Sequence, residues 1–169
     1  MHTQKILERQ ELAHAVRSLQ AAGKKVVFTN GCFDILHVGH VRYLAEAKSL
    51  GDILVVGLNS DASVGRLKPG RPVTTEKDRA EVLAALAAVD YVTIFSEDSP
   101  YELIFLLRPD LLVKGGDWRP EDIVGSDLVS EVKSLHFIGG ASTTGIIERI
   151  LSSGCHDATM KKSDTGGTL

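Results

Sequence analysis

Two histidines three residues apart, His37 and His40, carry the strongest chemical signal in this 169-residue chain. In the first turn of a helix that spacing turns both imidazoles toward the same side. They close the segment Thr29-Asn30-Gly31-Cys32-Phe33-Asp34-Ile35-Leu36-His37-Val38-Gly39-His40. Gly39 keeps the space between the rings free of a side chain, so a ligand can approach the backbone closely. A helix N-terminus already favours anions, through N–H groups without intrahelical partners and through its dipole. Two imidazoles added there make a site for phosphate oxygens, above all for negative charge that grows on them in a transition state. The pattern G-x-F-D-x-x-H-x-G-H fixes six positions and would arise by chance on the order of once in a million chains of this length. Asp34 reads as a helix cap that acts on the site only through loop shape. A zinc site built from Cys32, His37 and His40 lacks a fourth ligand and is the weaker reading.

Apolar periodicity sets out the elements that must position this pair. Leu12, Ala15, Val16 and Leu19 share a helical face and Gly23 stops it, giving an N-terminal helix over 4–22. Residues 25–29 read as a short buried strand. Val41, Leu44, Ala45 and Ala47 predict a helix over 41–50 that ends at Gly51. The unbroken apolar run 53–58 is the pattern of a strand covered on both faces. A polar loop spans 59–74, and Thr75 with Asp78 resembles a capping box for a helix through Ala88, with Val82, Leu83, Leu86 and Ala87 inward. Residues 91–95 form a third strand. Ser99-Pro100 opens a helix carrying Leu103, Ile104, Leu106 and Leu107. Strands at 111–113 and 135–138 and a helix over 142–151 complete the fold.

Strands alternating with helices at this spacing predict an α/β fold: a doubly wound, five-stranded, mostly parallel sheet of Rossmann-like type. In such sheets ligands sit beyond the carboxyl ends of the strands, which selects the loops 30–40, 59–74, 114–125 and 139–145. Residues 1–151 read as one domain, and the Ser/Gly/Thr/Lys-rich stretch 152–169 as a disordered tail.

Composition narrows the function classes. With 43% apolar and 24% charged residues, the chain is neither a disordered nor a fibrous protein nor a disulfide-stapled miniprotein. A net charge of −3 and nine aromatic residues, with no basic-aromatic interleaving, leave no field or platform for nucleic acid. Any anion site is therefore local. No apolar run approaches the ~20 residues that span a bilayer, and the start lacks the apolar core of a signal peptide. A cytoplasmic protein without a membrane partner is expected. Cys32 and Cys155 form no C-x-x-C pair; a reduced setting is the simpler reading, with a single disulfide left open.

The stretch 31–40 resembles the signature of the cytidylyltransferase-like nucleotidyltransferases. Within them the chain is most similar to the branch that adenylylates a heptose 1-phosphate, over residues 12–150. The pieces that carry the likeness are Phe28-Thr29-Asn30-Gly31-Cys32-Phe33-Asp34 and Val56-Gly57-Leu58-Asn59-Ser60-Asp61-Ala62-Ser63-Val64. Further pieces are Arg71-Pro72, Asp78-Arg79, Pro109-Asp110, Val113-Lys114-Gly115-Gly116-Asp117-Trp118 and Ser142-Thr143-Thr144. The resemblance implies transfer of AMP from ATP, accompanied by Mg2+, to D-glycero-β-D-manno-heptose 1-phosphate, with pyrophosphate released. The sugar phosphate is already an anion, its second pKa lying near about 6. Such a reaction needs alignment and charge neutralisation rather than a strong base.

On that reading His37 and His40 face the phosphates, and Gly31, Cys32, Phe33 and Gly39 contact the nucleotide through their backbone. Ser142, Thr143 and Thr144 offer hydroxyls and free N–H groups to the β- and γ-phosphates. Lys114, at a strand's carboxyl end, and Lys68, in the long loop beside Arg71, are the cations for the phosphates, and Arg71 itself is placed on the substrate side. Asp117 takes the ribose or base region, with Trp118 packed beside it. Asn59 and Asp61 face the sugar hydroxyls or simply shape the turn, and Arg79 anchors its helix. No metal ligands are assigned.

Two features depart from the family pattern. Ile147 stands where many relatives have an arginine, with Arg149 on a different face, and the stretch 129–132 is several residues short. Two alternatives stay open: another adenylyl- or cytidylyltransferase acting on glycerol 3-phosphate or a similar small phosphate, and a non-catalytic nucleotide-binding module. A homodimer is left open, and a separate sugar kinase is expected to act upstream.

Overall fold

The structure, a computed structural model, describes residues 2–136 and 142–153. Its strands are β1 (Val26–Gly31), β2 (Ile53–Asn59), β3 (Tyr91–Phe95), β4 (Leu111–Gly115) and β5 (Glu131–Leu135). Its helices are α1 (Arg9–Ala21), α2 (Val38–Ser49), α3 (Asp61–Leu67), α4 (Glu76–Ala85), α5 (Tyr101–Leu107) and α6 (Thr143–Ser153). The sheet order is β3-β2-β1-β4-β5, and every pairing is parallel. Val27 pairs with Leu54 on one side and Leu111 on the other. The sequence expectation of a doubly wound parallel sheet holds.

Because successive strand side chains point to opposite faces, the apolar runs feed two separate cores. Val27, Leu54, Val56, Leu58, Leu111 and Val113 pack with Leu44 and Ala47 of α2 and Leu83 of α4. Val26, Phe28, Val55 and Leu112 pack with Leu12 and Val16 of α1 and with Leu103, Ile104 and Leu107 of α5. Each fully buried Leu or Val contributes about 1.5–3 kcal/mol relative to exposure. The chain runs outward from β1 to β3, then returns to β4 on the other side. The strand order therefore switches between β1 and β4, where the carboxyl ends carry Gly31 and Lys114. No helix among the described residues is long and apolar enough to cross a membrane.

Several boundaries move. The N-terminal helix starts at Arg9, not 4. A 3₁₀ turn (His2–Lys5) precedes it, and then Ile6 bridges Val92 and the Leu7 N–H donates to the Val92 carbonyl. The predicted loop 59–74 contains α3, capped by the Ser60 hydroxyl accepting from the Ser63 N–H. In α2 the buried residues are Tyr43, Leu44 and Ala47, while Val41 is exposed. Helix α4 ends at Ala85 rather than 88, and its buried residues are Arg79, Ala80, Leu83 and Ala84, while Val82 and Ala87 are exposed and Leu86 packs partly against the core from just past the helix end. Thr75 caps α4 as expected, accepting from the Asp78 N–H.

The fifth strand is Glu131–Leu135 rather than 135–138; Phe137 and Ile138 lie outside the described residues. The stretch 129–132 thus leads straight into an edge strand whose burial is only partial. The last helix runs on to Ser153, so Ser152 and Ser153 belong to it, and residues 154–169 lie outside those described.

Gly57 in β2 is required by packing: a Cβ there would sit 2.7 Å from Phe28 Cζ and 3.2 Å from Leu103 Cδ2, both in fully buried side chains. Gly57→Val should lower the unfolding free energy by about 1–3 kcal/mol by overpacking, read as a reduced denaturant midpoint at unchanged m-value.

Candidate active site

At the end of β1 the chain turns through 32–36 and re-enters helix at Val38, with His37 as an extended N-cap residue (φ −143°, ψ 171°) whose side chain makes no cap bond. His40 follows as the third residue of α2. The two rings stack, centroids 3.9 Å apart and 23° from coplanar. The Phe33 ring closes on His40 from another side at 5.3 Å and 60°. Phe33 holds that position with a left-handed backbone, φ 43°, a region costly for residues that carry a Cβ.

Both Nδ1 atoms are buried and have no hydrogen-bond partner among the described residues. Burial holds the His37 imidazole below its ordinary range. Burial, then His37 and Lys68, push His40 from 6.5 down to about 4. At neutral pH His40 is therefore an uncharged imidazole with one N–H to donate and one lone pair to offer.

The loops around the pair are pinned by two buried charged residues. Asp34 accepts from the Val73 N–H (2.8 Å) and the Thr74 N–H (3.1 Å), and pairs with Arg71 Nε at 2.6 Å. It does not cap α2, as the sequence suggested; its carboxylate reaches across to the 71–74 segment instead. Burial alone would raise its pKa, but the Thr74 and Val73 N–H groups and the Arg71 charge outweigh that and hold it below the usual carboxylate value. Arg79, 2% exposed, donates to the Cys32 carbonyl (2.5 Å), the Asp61 carboxylate (2.7 Å) and the Thr74 carbonyl (3.1 Å). It anchors three segments rather than its own helix alone.

Above this scaffold opens a cavity of about 790 Å3. It gathers most of the predicted site: Gly31, Cys32, Phe33, His37, His40, Asn59, Lys68, Arg71, Lys114, Ser142, Thr143 and Thr144 all line it. Lys114 Nζ donates to Asn30 Oδ1 at 3.4 Å, and burial pushes its ammonium pKa down. Lys68 stands exposed at the C-cap of α3. Asn59 uses its amide N–H on Ser63 Oγ at 2.9 Å, which favours the turn-shaping role. Ser142 Oγ accepts from the Gly145 N–H, and the Thr143 hydroxyl donates to the Ile35 carbonyl, so the start of α6 sits against the histidine loop.

Three predicted residues are placed elsewhere. Gly39 does not line the cavity, although His37 and His40 on either side of it do. Asp61 is taken up by Arg79. Asp117 points to the surface, where it pairs with His136, and only its neighbour Trp118 reaches the cavity wall. Asn30, Pro100, Ile123 and Val124 join the lining without having been singled out. Asn30 stood inside the motif and is the one the sequence offered a signal for.

Among the described residues no group of three or more His, Cys, Asp or Glu is arranged to hold a metal ion, so the zinc alternative gains no support. The cavity carboxylates are already ion-paired: Asp34 with Arg71, Asp98 with Arg66 and Asp122 with Arg119.

Paired imidazoles over a helix N-terminus, at the strand-order switch of a parallel sheet, define a domain built to handle a phosphate-bearing nucleotide. The family comparison agrees: the cytidylyltransferase-like family profile matches residues 28–159, and the chain belongs to that family. It is 56% identical over 148 residues to the bifunctional protein HldE of a Nitratiruptor species, covering 87% of this chain and 32% of that one. It is 62% identical over 132 residues to the bifunctional protein HldE of Campylobacter concisus, covering 78% and 28%. The chain thus spans about a third of the length of these curated relatives.

Among solved structures it resembles the lipopolysaccharide core biosynthesis protein from Thermoplasma volcanium, with TM-score 0.59 and 29% identity over 70% of this chain and all of that one. A pantoate-beta-alanine ligase from Francisella tularensis, 15% identical with TM-score 0.57 over 83% of this chain and 69% of that one, shares the fold.

The Asp34 cluster makes acid sensitivity testable. A carboxylate whose folded pKa lies below its ordinary 3.8 stabilises the fold fully above about pH 4, and the contribution disappears as pH falls through the lowered value. Asp34→Asn should cost about 1–3 kcal/mol at pH 7 and flatten the acid limb of the stability profile, measured by denaturant unfolding between pH 7 and pH 2.5.

Proposed function

We propose that this chain is the adenylyltransferase that moves AMP from ATP to D-glycero-β-D-manno-heptose 1-phosphate, giving ADP-heptose, a lipopolysaccharide core precursor, and pyrophosphate. The observation that carries the reading is the stacked His37–His40 pair, its buried Nδ1 atoms unpartnered at the N-terminus of α2. The HldE relatives, the likeness to a lipopolysaccharide core biosynthesis protein and the Asn59–Val64 and Lys114–Trp118 motifs support the heptose branch.

The residues then act as follows. The acceptor phosphate needs no base; it attacks the α-phosphorus in line with the leaving pyrophosphate. Neutral imidazoles donate to the phosphoryl oxygens, and those bonds strengthen as negative charge builds up there. Two rings 3.9 Å apart repel each other when both are cations, so a proton on one disfavours a proton on the other. Lys114, oriented by Asn30, together with Lys68 and Arg71 neutralises phosphate charge from the sheet side and the loop side. The hydroxyls of Ser142, Thr143 and Thr144 and the first N–H groups of α6 receive the β- and γ-phosphates. Magnesium carried on the triphosphate would neutralise the leaving group. The cavity carboxylates, committed to arginines, fit an ion held by phosphate oxygens rather than by a protein cage. Both substrates are cytoplasmic metabolites, and a sugar kinase, joined to this chain or separate, supplies the acceptor.

Incubation with ATP and heptose 1-phosphate should yield ADP-heptose and pyrophosphate in equal amounts. Parallel assays with CTP and with glycerol 3-phosphate should show much lower turnover. Preference for glycerol 3-phosphate would move the chain to another branch, and tight ATP binding with no acceptor turned over would make it a binding module. His37→Ala and His40→Ala should each lower kcat by about 10²-fold or more, with little change in ATP affinity, followed by pyrophosphate release and by equilibrium binding.

A further inference from the structure

The cavity has two chemical characters. Where β1 and β4 end, its lining is histidine and lysine. Along the segment after β4 it is apolar, formed by Trp118, Ile123 and Val124. Trp118 is 50% exposed, unusual for so large an apolar side chain, and Val124 is 46% exposed, while Ile123 is buried.

The indole is nonetheless fixed. Its Nε1–H donates to the Gly115 carbonyl at 3.2 Å, and the Trp118 main-chain N–H donates to Ser134 Oγ at 3.2 Å. An indole has one polar atom, a donor, and here it is satisfied within the protein. What the ring has left to offer is its π surface, held at the wall of a cavity whose other lining binds phosphate. An aromatic platform beside a phosphate site suits a ligand that is flat and apolar at one end and anionic at the other, which is the shape of a nucleoside triphosphate.

We propose that Trp118 is the platform on which the base of the nucleoside triphosphate stacks. This assignment rests on the nucleotidyl-transfer reading above and adds to it where the base lies. Every base has a π face, so a stacking platform supplies affinity with little discrimination between bases.

Trp118 is the only tryptophan of the chain, so its fluorescence reports on the platform directly. ATP should quench that emission saturably, whereas tripolyphosphate, which lacks base and sugar, should displace ATP without quenching. Trp118→Ala should weaken ATP binding about ten- to a hundredfold, the loss expected for one stacked base, and leave tripolyphosphate binding unchanged. Trp118→Phe should keep most of the ATP affinity, which separates stacking from a folding defect. At saturating ATP the alanine variant's kcat should change less than its KM for ATP.

Equal quenching by tripolyphosphate, an equal loss of both ligands in Trp118→Ala, or a loss confined to the sugar 1-phosphate would each overturn the assignment. The binding arms need no turnover. An enzyme that stacks ATP on Trp118 but transfers nothing would leave the platform standing and remove the transfer reading. An active enzyme whose ATP affinity ignores Trp118 would do the reverse.

Discussion

The guanidinium of Arg79 is sealed under the cavity floor and divides its donors among the Cys32 carbonyl, the Thr74 carbonyl and the Asp61 carboxylate. Those acceptors belong to three segments: the histidine loop, the segment before α4 and the start of α3. Removing a charge from water costs several kcal/mol unless its hydrogen bonds are all replaced, so the three segments cannot drift apart independently. Asp34 adds a second tie between the histidine loop and the 71–74 segment. The stacked imidazoles keep their geometry because the backbone on either side of them is fastened from below.

On that foundation the charges are arranged in layers. The two buried charges that hold structure are both paired, Arg79 with Asp61 and Asp34 with Arg71, and Arg71 also lines the cavity. The groups facing the cavity are left with capacity: two imidazoles whose pKa values burial holds down, a lysine with one weak amide partner, and a second lysine exposed at the rim. A phosphate chain entering such a place meets imidazoles and a Lys114 ammonium already partly desolvated by burial, so little reorganisation is needed there when its charge redistributes.

Much of this was legible in the sequence because the chemistry lies in one contiguous segment. Gly31 to His40 follows a buried strand directly, and the fold rule that places ligands at strand ends needed only the alternation of elements. Strand β3 was read residue for residue, being an isolated apolar run. Strand β5 was misplaced because Glu131-Val132-Lys133-Ser134-Leu135 sits at the sheet edge, where half-exposure permits polar residues and erases the apolar run. Helix α3 was missed because seven residues held by a Ser60 cap leave too little periodicity to see among glycines and prolines. Asp117 was read toward the ligand and Asp61 toward either the sugar or the turn, and their partners, His136 and Arg79, lie 19 and 18 residues away. Which way a carboxylate turns at a strand end depends on such distant partners, and spacing does not encode it.

Phe33 shows what the site asks of its own loop. Its left-handed backbone would suit glycine, but glycine would leave the imidazole of His40 without a wall. The chain keeps a tense peptide so that a ring cannot wander, an exchange of ruggedness for alignment. Anyone hardening this protein against heat by relaxing its backbone outliers would begin with that residue, and would give up the fixed seat of the His40 ring to gain durability.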